Sequence, residues 1–291
     1  MIKALDAIVV GNITEDILNL KNGVKNRTLG GGATYASFCL RGLGSKVGIV
    51  SRVAKDFPYL DKFRGIDLGG LRFSKETTTF EHIYDERAKP RKIKILKDAG
   101  KIEAEDLPMK YYNAKSVIFT PVFHEIEPHT MSRFNTGGYD SLATLSELGD
   151  KNSTVKNCLP DNLVFDVDII KIGEDEFRVF GNSFKVSKRL SSPSLRAILI
   201  TLGKKGSLVY DRLNLCWKKI PAFKVKTVDE TGSGDVYLSS FLYKYLRCND
   251  VFESSCFASA AASFVIEDVG PRKFGSLEEV EERSKRIWRE V

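Results

Sequence analysis

Val228-Asp229-Glu230-Thr231-Gly232-Ser233-Gly234-Asp235-Val236-Tyr237 is the stretch that decides how this chain reads. Beyond it Phe241, Leu242, Tyr245 and Leu246 recur at helical spacing, which predicts a helix with Asp235 in its first turn. The first N–H groups of such a helix have no partner within it and lie at the positive end of its dipole. Gly232 and Gly234 allow another molecule to approach the backbone closely. Together these features suit a phosphate. A carboxylate there would repel the phosphate, unless it takes a proton from the group that attacks it. An anion cradle beside a base is what phosphoryl transfer needs. Taken alone, Gly-Ser-Gly-Asp is also an ordinary loop and helix start.

Outward from this stretch, short apolar runs alternate with helical patterns. Ala7–Gly11, Lys46–Ser51, Ile66–Leu68, Val117–Phe119, Leu163–Ile172 and Ala197–Thr201 read as buried strands. Ala33–Leu43 reads as a helix and Asp56–Phe63 as a short one. Further helices are expected at about 127–135, 152–158, 174–180, 234–247, 251–267 and 277–289. That alternation predicts a mostly parallel sheet covered on both faces, a three-layer α/β/α arrangement. Two segments break the rhythm. Asp16–Thr28 and Thr77–Leu96 alternate with period two and read as antiparallel strands, an edge hairpin being the plainer alternative.

With 291 residues, 42% of them hydrophobic, the chain is long enough for one large α/β core. No window has the apolar length of a membrane span, and Met1-Ile2-Lys3-Ala4-Leu5-Asp6 is not a signal peptide, so a cytoplasmic protein without a membrane partner is expected. The net charge of +7 is spread along the chain, and no nucleic-acid module accompanies it; phosphate handling explains it as well. Five cysteines without a CxxC read as packing residues, and His82, His124 and His129 lack metal-ligand spacing. No G-x-G-x-x-G follows the first strand and no Walker motif is present, which discounts a Rossmann oxidoreductase and a P-loop enzyme.

Five motifs, in order, resemble the ribokinase-like (PfkB) carbohydrate kinases. Val9-Val10-Gly11-Asn12-Ile13-Thr14-Glu15-Asp16 looks like the family's first strand and its substrate aspartate. Gly30-Gly31-Gly32-Ala33-Thr34-Tyr35-Ala36 is similar to its glycine-rich substrate motif. Val167 to Glu176 and Ile200 to Ser207 follow, and Asp229 to Asp235 resembles the family's Asp-Thr-x-Gly-Ala-Gly-Asp. The resemblance implies a single kinase domain over 1–291, with insertions at about 13–29 and 72–100 forming a small β lid. It implies ATP and Mg²⁺ as cofactors, and a homodimer, since exposed lid edges seek partners.

The roles it implies are specific. Asp235 is the general base, and Gly232, Ser233 and Gly234 form the anion hole. Asp16, Asn12, Gly31 and Gly32 bind substrate. Thr201, Gly203, Gly206 and Thr231 lie on the nucleotide side. Glu176 influences Mg²⁺, although Gly173 stands where the family has asparagine. The acceptor is expected to be a sugar or cyclitol, with Thr77-Thr78-Thr79-Phe80-Glu81-His82-Ile83-Tyr84 closest in look to the myo-inositol kinases. Those relatives carry Asp-x-Gln-Gly-x-x-Arg in a central strand, where this chain has Ser141-Leu142-Ala143-Thr144-Leu145-Ser146-Glu147. A nucleoside kinase of the same family, and a non-catalytic nucleotide- or sugar-binding regulator on the same fold, remain open.

Overall fold

The computed structural model describes residues 4–19, 25–83, 92–122, 125–126, 142–146, 167–174, 177–178, 181–189 and 194–291. The expected helices at 127–135 and 152–158 lie outside these residues, as do Glu176 and the charged turn around Pro90.

Nine strands make the main sheet: β1 (Ala7–Val10), β4 (Val47–Ala54), β5 (Asp67–Ser74), β8 (Ser116–Phe119), β9 (Leu142–Ser146), β10 (Ile169–Ile172), β11 (Ala197–Thr201), β12 (Ser207–Asp211) and β13 (Cys216–Ile220). Their order is β13-β12-β11-β10-β9-β8-β1-β4-β5. Pairing is parallel from β11 through to β5, and β12 and β13 close one edge antiparallel. The β12–β13 hairpin is not among the strands expected from the sequence, the last of which is Ala197–Thr201. The third apolar run is longer than expected: β5 extends to Ser74 because it pairs with β4 as far as Ala54. The short helix expected at Asp56–Phe63 is a 3-10 turn over Leu60–Phe63.

β1, β4, β8, β10 and β11 are buried along nearly their whole length, so alternate residues serve two cores. Val9, Ile49, Ile118, Ile169 and Leu199 face a layer formed by α1 (Gly32–Gly42), α3 (Ser233–Cys248), α4 (Val251–Val265) and α5 (Leu277–Trp288). Ile8, Val10, Val117, Phe119, Ile170 and Ile198 face Ile102, Leu107, Tyr111 and Val186, the last carried by the short α2 (Ser183–Arg189). The helix starts follow their sequence signals: Asp250 accepts N–H bonds from Phe252 and Glu253 at 2.8 Å to cap α4, and Ser276 with Glu279 forms a capping box on α5. Among the described residues, no helix is long and apolar enough to cross a membrane.

The remaining strands, β2 (Thr14–Asn19), β3 (Lys25–Gly30), β6 (Thr79–Ile83) and β7 (Lys92–Lys97), form a separate four-stranded sheet in the order β3-β2-β6-β7. Both hairpins are antiparallel, as their alternation predicts, and they join through a parallel β2–β6 pairing. This sheet grows from the carboxyl end of β1. There the main sheet changes direction, since β1 lies between β4 and β8. In open parallel sheets ligands bind at such a switch point.

Candidate active site

Two strand ends build the floor. Gly11 after β1 and Thr120 after β8 are in contact: a Cβ on Gly11 would lie 2.3 Å from Thr120 Oγ1. The buried carboxylate of Glu125 binds both ends together, accepting Asn12 N–H at 3.1 Å and Val122 N–H at 3.0 Å. The Asn12 side chain is fully buried, and neither its Oδ1 nor its Nδ2 finds a hydrogen-bond partner among the described residues. A buried amide without a partner costs about 1–3 kcal/mol, so it points to a polar group of another molecule.

The glycine triplet forms the spine. Gly30 ends β3, Gly31 precedes α1 with φ 89°, and Gly32 begins that helix. A Cβ on Gly30 would lie 2.3 Å from Asp16 Oδ2. A Cβ on Gly31 would lie 2.2 Å from the Asn12 carbonyl oxygen. A Cβ on Gly32 would lie 2.9 Å from Asp235 Oδ1. Three consecutive residues therefore touch the three polar residues singled out from distant parts of the sequence.

Opposite the triplet, α3 begins after Gly232, which is left-handed at φ 75° and ψ −3°. A side chain there would strike the Tyr35 ring at 2.2 Å. Gly232→Ala is expected to destabilise the fold by at least ~2 kcal/mol, from left-handed backbone strain and the ring clash together. Chemical denaturation at equilibrium checks this, and an unchanged midpoint would show that the loop adapts. The preceding loop is tied down by Asp229, whose Oδ1 accepts from Thr231 N–H at 3.0 Å and Thr231 Oγ1 at 2.6 Å. Its Oδ2 accepts from Gly270 N–H at 3.3 Å. Ser233 is turned away from the cradle: its hydroxyl donates to the Glu230 carbonyl at 2.8 Å and its N–H to the same oxygen at 3.3 Å. Both donors of Ser233 are thus engaged within the loop itself.

Lys171 has no role among those expected from the sequence. It sits on β10, is 1% exposed, and brings Nζ to 2.7 Å from where a Gly234 Cβ would be. A buried ammonium beside a helix N-terminus opposes the dipole, and an anion bound there would favour that position. Thr201, one strand over, donates to the Ile172 carbonyl at 3.4 Å. Gly203 and Gly206, at φ 54° and 88°, shape the turn from β11 to β12, and a Gly206 Cβ would collide with the Ile220 carbonyl at 2.0 Å. Those two glycines have a sufficient structural reason in that turn. Tyr237 links the turn to α3 through its hydroxyl, 2.8 Å from Ser207 Oγ, and burial pushes its phenol above the ordinary range.

Comparison with known proteins agrees with this architecture. The model of the pfkB family carbohydrate kinases matches residues 141–277. A cytidine kinase from Thermococcus kodakarensis is 26% identical over 256 residues, 84% of this chain and 89% of that one. An inositol 3-kinase from Arabidopsis thaliana is 24% identical over 300 residues, 96% of this chain and 80% of that one. A fructokinase from Xylella fastidiosa, solved with bound ATP, superposes with a TM-score of 0.80 at 17% identity and covers 97% of this chain and 98% of its own. The fold is thus ribokinase-like, and the chain is a phosphotransferase with an alcohol group as acceptor. Residues 141–277 match the model of the PfkB carbohydrate kinases, and the likeness to individual kinases runs over most of the chain.

Proposed function

We propose that the protein transfers the γ-phosphate of ATP to a hydroxyl of a small polyhydroxylated acceptor, a sugar or cyclitol such as myo-inositol. The observation that carries this reading is the glycine triplet, which sets Asp16, Asn12 and Asp235 side by side along three residues. The cradle at Gly232 and Gly234, with Lys171 beside it, fits the phosphates of a nucleotide. When bound, ATP supplies the phosphoryl group. Asp235 takes the proton of the attacking hydroxyl. The amides that open α3 and the Lys171 ammonium offset the charge on the transferring group. Asp16 accepts hydrogen bonds from acceptor hydroxyls, and the Asn12 amide meets a further polar group. The four-stranded sheet serves as the lid that keeps water from the acceptor. Mg²⁺ is expected to accompany the ATP, and its expected neighbour Glu176 lies outside the described residues.

A nucleoside acceptor is the second reading, favoured by the likeness to a cytidine kinase over 84% of the chain. Both acceptors present adjacent hydroxyls to a carboxylate. The test is Mg·ATP-dependent ADP release across myo-inositol, ribose, fructose, 2-keto-3-deoxygluconate, fructose 6-phosphate, adenosine and cytidine. Turnover with myo-inositol or a free sugar supports the first reading, and turnover confined to cytidine or adenosine replaces it with the second. Silence across the panel with ATP still bound would favour a regulator that kept the fold without the chemistry.

A further inference from the structure

One face of the four-stranded sheet carries a buried polar cluster. The β2–β6 register pairs Asp16 with Phe80 and Leu18 with His82, so carboxylate and imidazole are diagonal neighbours on that face. Thr28, paired with Asp16 across the β2–β3 hairpin, stands beside them. Asp16 and His82 are each 4% exposed, and His82 Nε2 lies 3.0 Å from Asp16 Oδ2. The approach is close but is not aligned as a hydrogen bond. On the other oxygen, Oδ1 accepts from Thr14 Oγ1 at 2.7 Å, and Gly30 closes the side of the carboxylate.

Stability alone does not explain this arrangement. Taking a carboxylate and an imidazole out of water is expensive, and an apolar pair of the same volume would stabilise the sheet as well or better. What the arrangement provides is orientation. Each carboxylate oxygen has two lone pairs. Thr14 engages one on Oδ1 and His82 approaches Oδ2, which fixes the plane of the group and leaves one acceptor direction on each oxygen for a ligand.

We propose that His82 is a positioning residue of the acceptor subsite, acting through Asp16. It holds the carboxylate in the one orientation that receives two neighbouring hydroxyls, and it does so from the strand opposite, so that the β2–β6 junction itself sets acceptor affinity. The proposal rests on the kinase reading above. Its effect falls on acceptor binding, not on the phosphoryl step.

The test compares His82→Phe, which keeps a ring without a donor, with His82→Gln, which restores one. His82→Phe is expected to raise the acceptor KM by about tenfold, the scale of one contact to a charged group, with kcat and the ATP KM within ~3-fold of wild type. His82→Gln is expected to recover part of the loss. In Asp16→Asn/His82→Phe the acceptor KM should be no worse than in Asp16→Asn alone, because a residue acting through Asp16 has nothing left to orient. Additive losses, or a fall in kcat with unchanged acceptor KM, would overturn the proposal. Imidazole NMR supplies a reading that needs no turnover. The chain has three histidines, so His82→Phe identifies the His82 signals by their absence. Asp16→Asn should move those signals, and unmoved signals would overturn the proposal. Failure of the kinase reading is distinguishable: it shows in the wild type as silence across the acceptor panel, and the NMR arm then decides the His82–Asp16 pairing.

Discussion

Asp235→Asn is expected to fold like the wild type and to lower kcat by about 10² to 10⁴-fold, the range that a positioned general base contributes. Asparagine keeps the shape and much of the polarity of aspartate, but its amide cannot take a hydroxyl proton. The structure keeps the consequences for folding small. The side chain is only partly buried, and α3 is capped by the backbone of Gly232 with no side-chain cap bond. Losing a negative charge in the first helical turn costs about 0.3–1 kcal/mol through the dipole. Catalysis should therefore fall far more than stability. Steady-state kinetics with the active acceptor and a thermal melt, run on the same preparation, separate the two. A variant with near-full turnover would sink the base assignment. A variant whose melting point drops while kcat holds would make Asp235 a helix-start residue and nothing more.

What the sequence made legible follows from how local each signal is. The helix after Gly234 announces itself through its own spacing, and the structure starts it at Ser233, one residue from the expected boundary. The strand–helix alternation yields the parallel sheet because β1, β4, β8, β10 and β11 are buried along nearly their whole length and so read as apolar runs. The motif residues near Gly31 and Asp235 could be found for the same reason, since a glycine at φ 89° or 75° leaves a mark that no other residue readily replaces. Lys171 carried no such mark. In Ile169-Ile170-Lys171-Ile172 a lysine reads as a strand end reaching for water, and only the approach of α3 shows that its ammonium lies under a helix start. His82 was hidden differently. Its partner Asp16 is 66 positions earlier, and their meeting depends on the parallel β2–β6 junction, which hairpin alternation does not encode. Glu125 and Asp229 act on backbone N–H groups, contacts that no side-chain pattern announces. The β12–β13 hairpin was within reach: Asp211 accepts from the Leu213 N–H and the Asn214 side chain, a turn chemistry the sequence displays between two short alternating runs.

Lys171→Met is expected to lower kcat/KM for ATP by about 10² to 10³-fold while the protein stays folded, the scale seen when one preorganised donor to a developing anion is removed. Methionine retains the length and the apolar stem, so the packing of Lys171 between β9 and β11 is preserved and the charge alone is withdrawn. The direction follows from where the charge sits. An ammonium in a water-poor interior acts strongly on a phosphoryl group a few ångströms away, because little solvent screens it. In the free protein the same charge faces the positive end of α3, which disfavours it by a few tenths to about 1 kcal/mol. Withdrawing the charge relieves that repulsion while it removes an attraction to phosphate, so it should weaken nucleotide handling more than it weakens the fold. Lys171→Arg should not restore activity: a guanidinium is wider than an ammonium, and Nζ already lies 2.7 Å from the point where a Gly234 side chain would begin. Nucleotide binding by calorimetry, turnover with the active acceptor and a thermal melt decide the matter together. Unchanged ATP affinity and turnover in a destabilised Lys171→Met would make the lysine a structural element of the sheet. Weakened ATP affinity and slowed turnover in a stable variant would make it the cation that the phosphate cradle was built around.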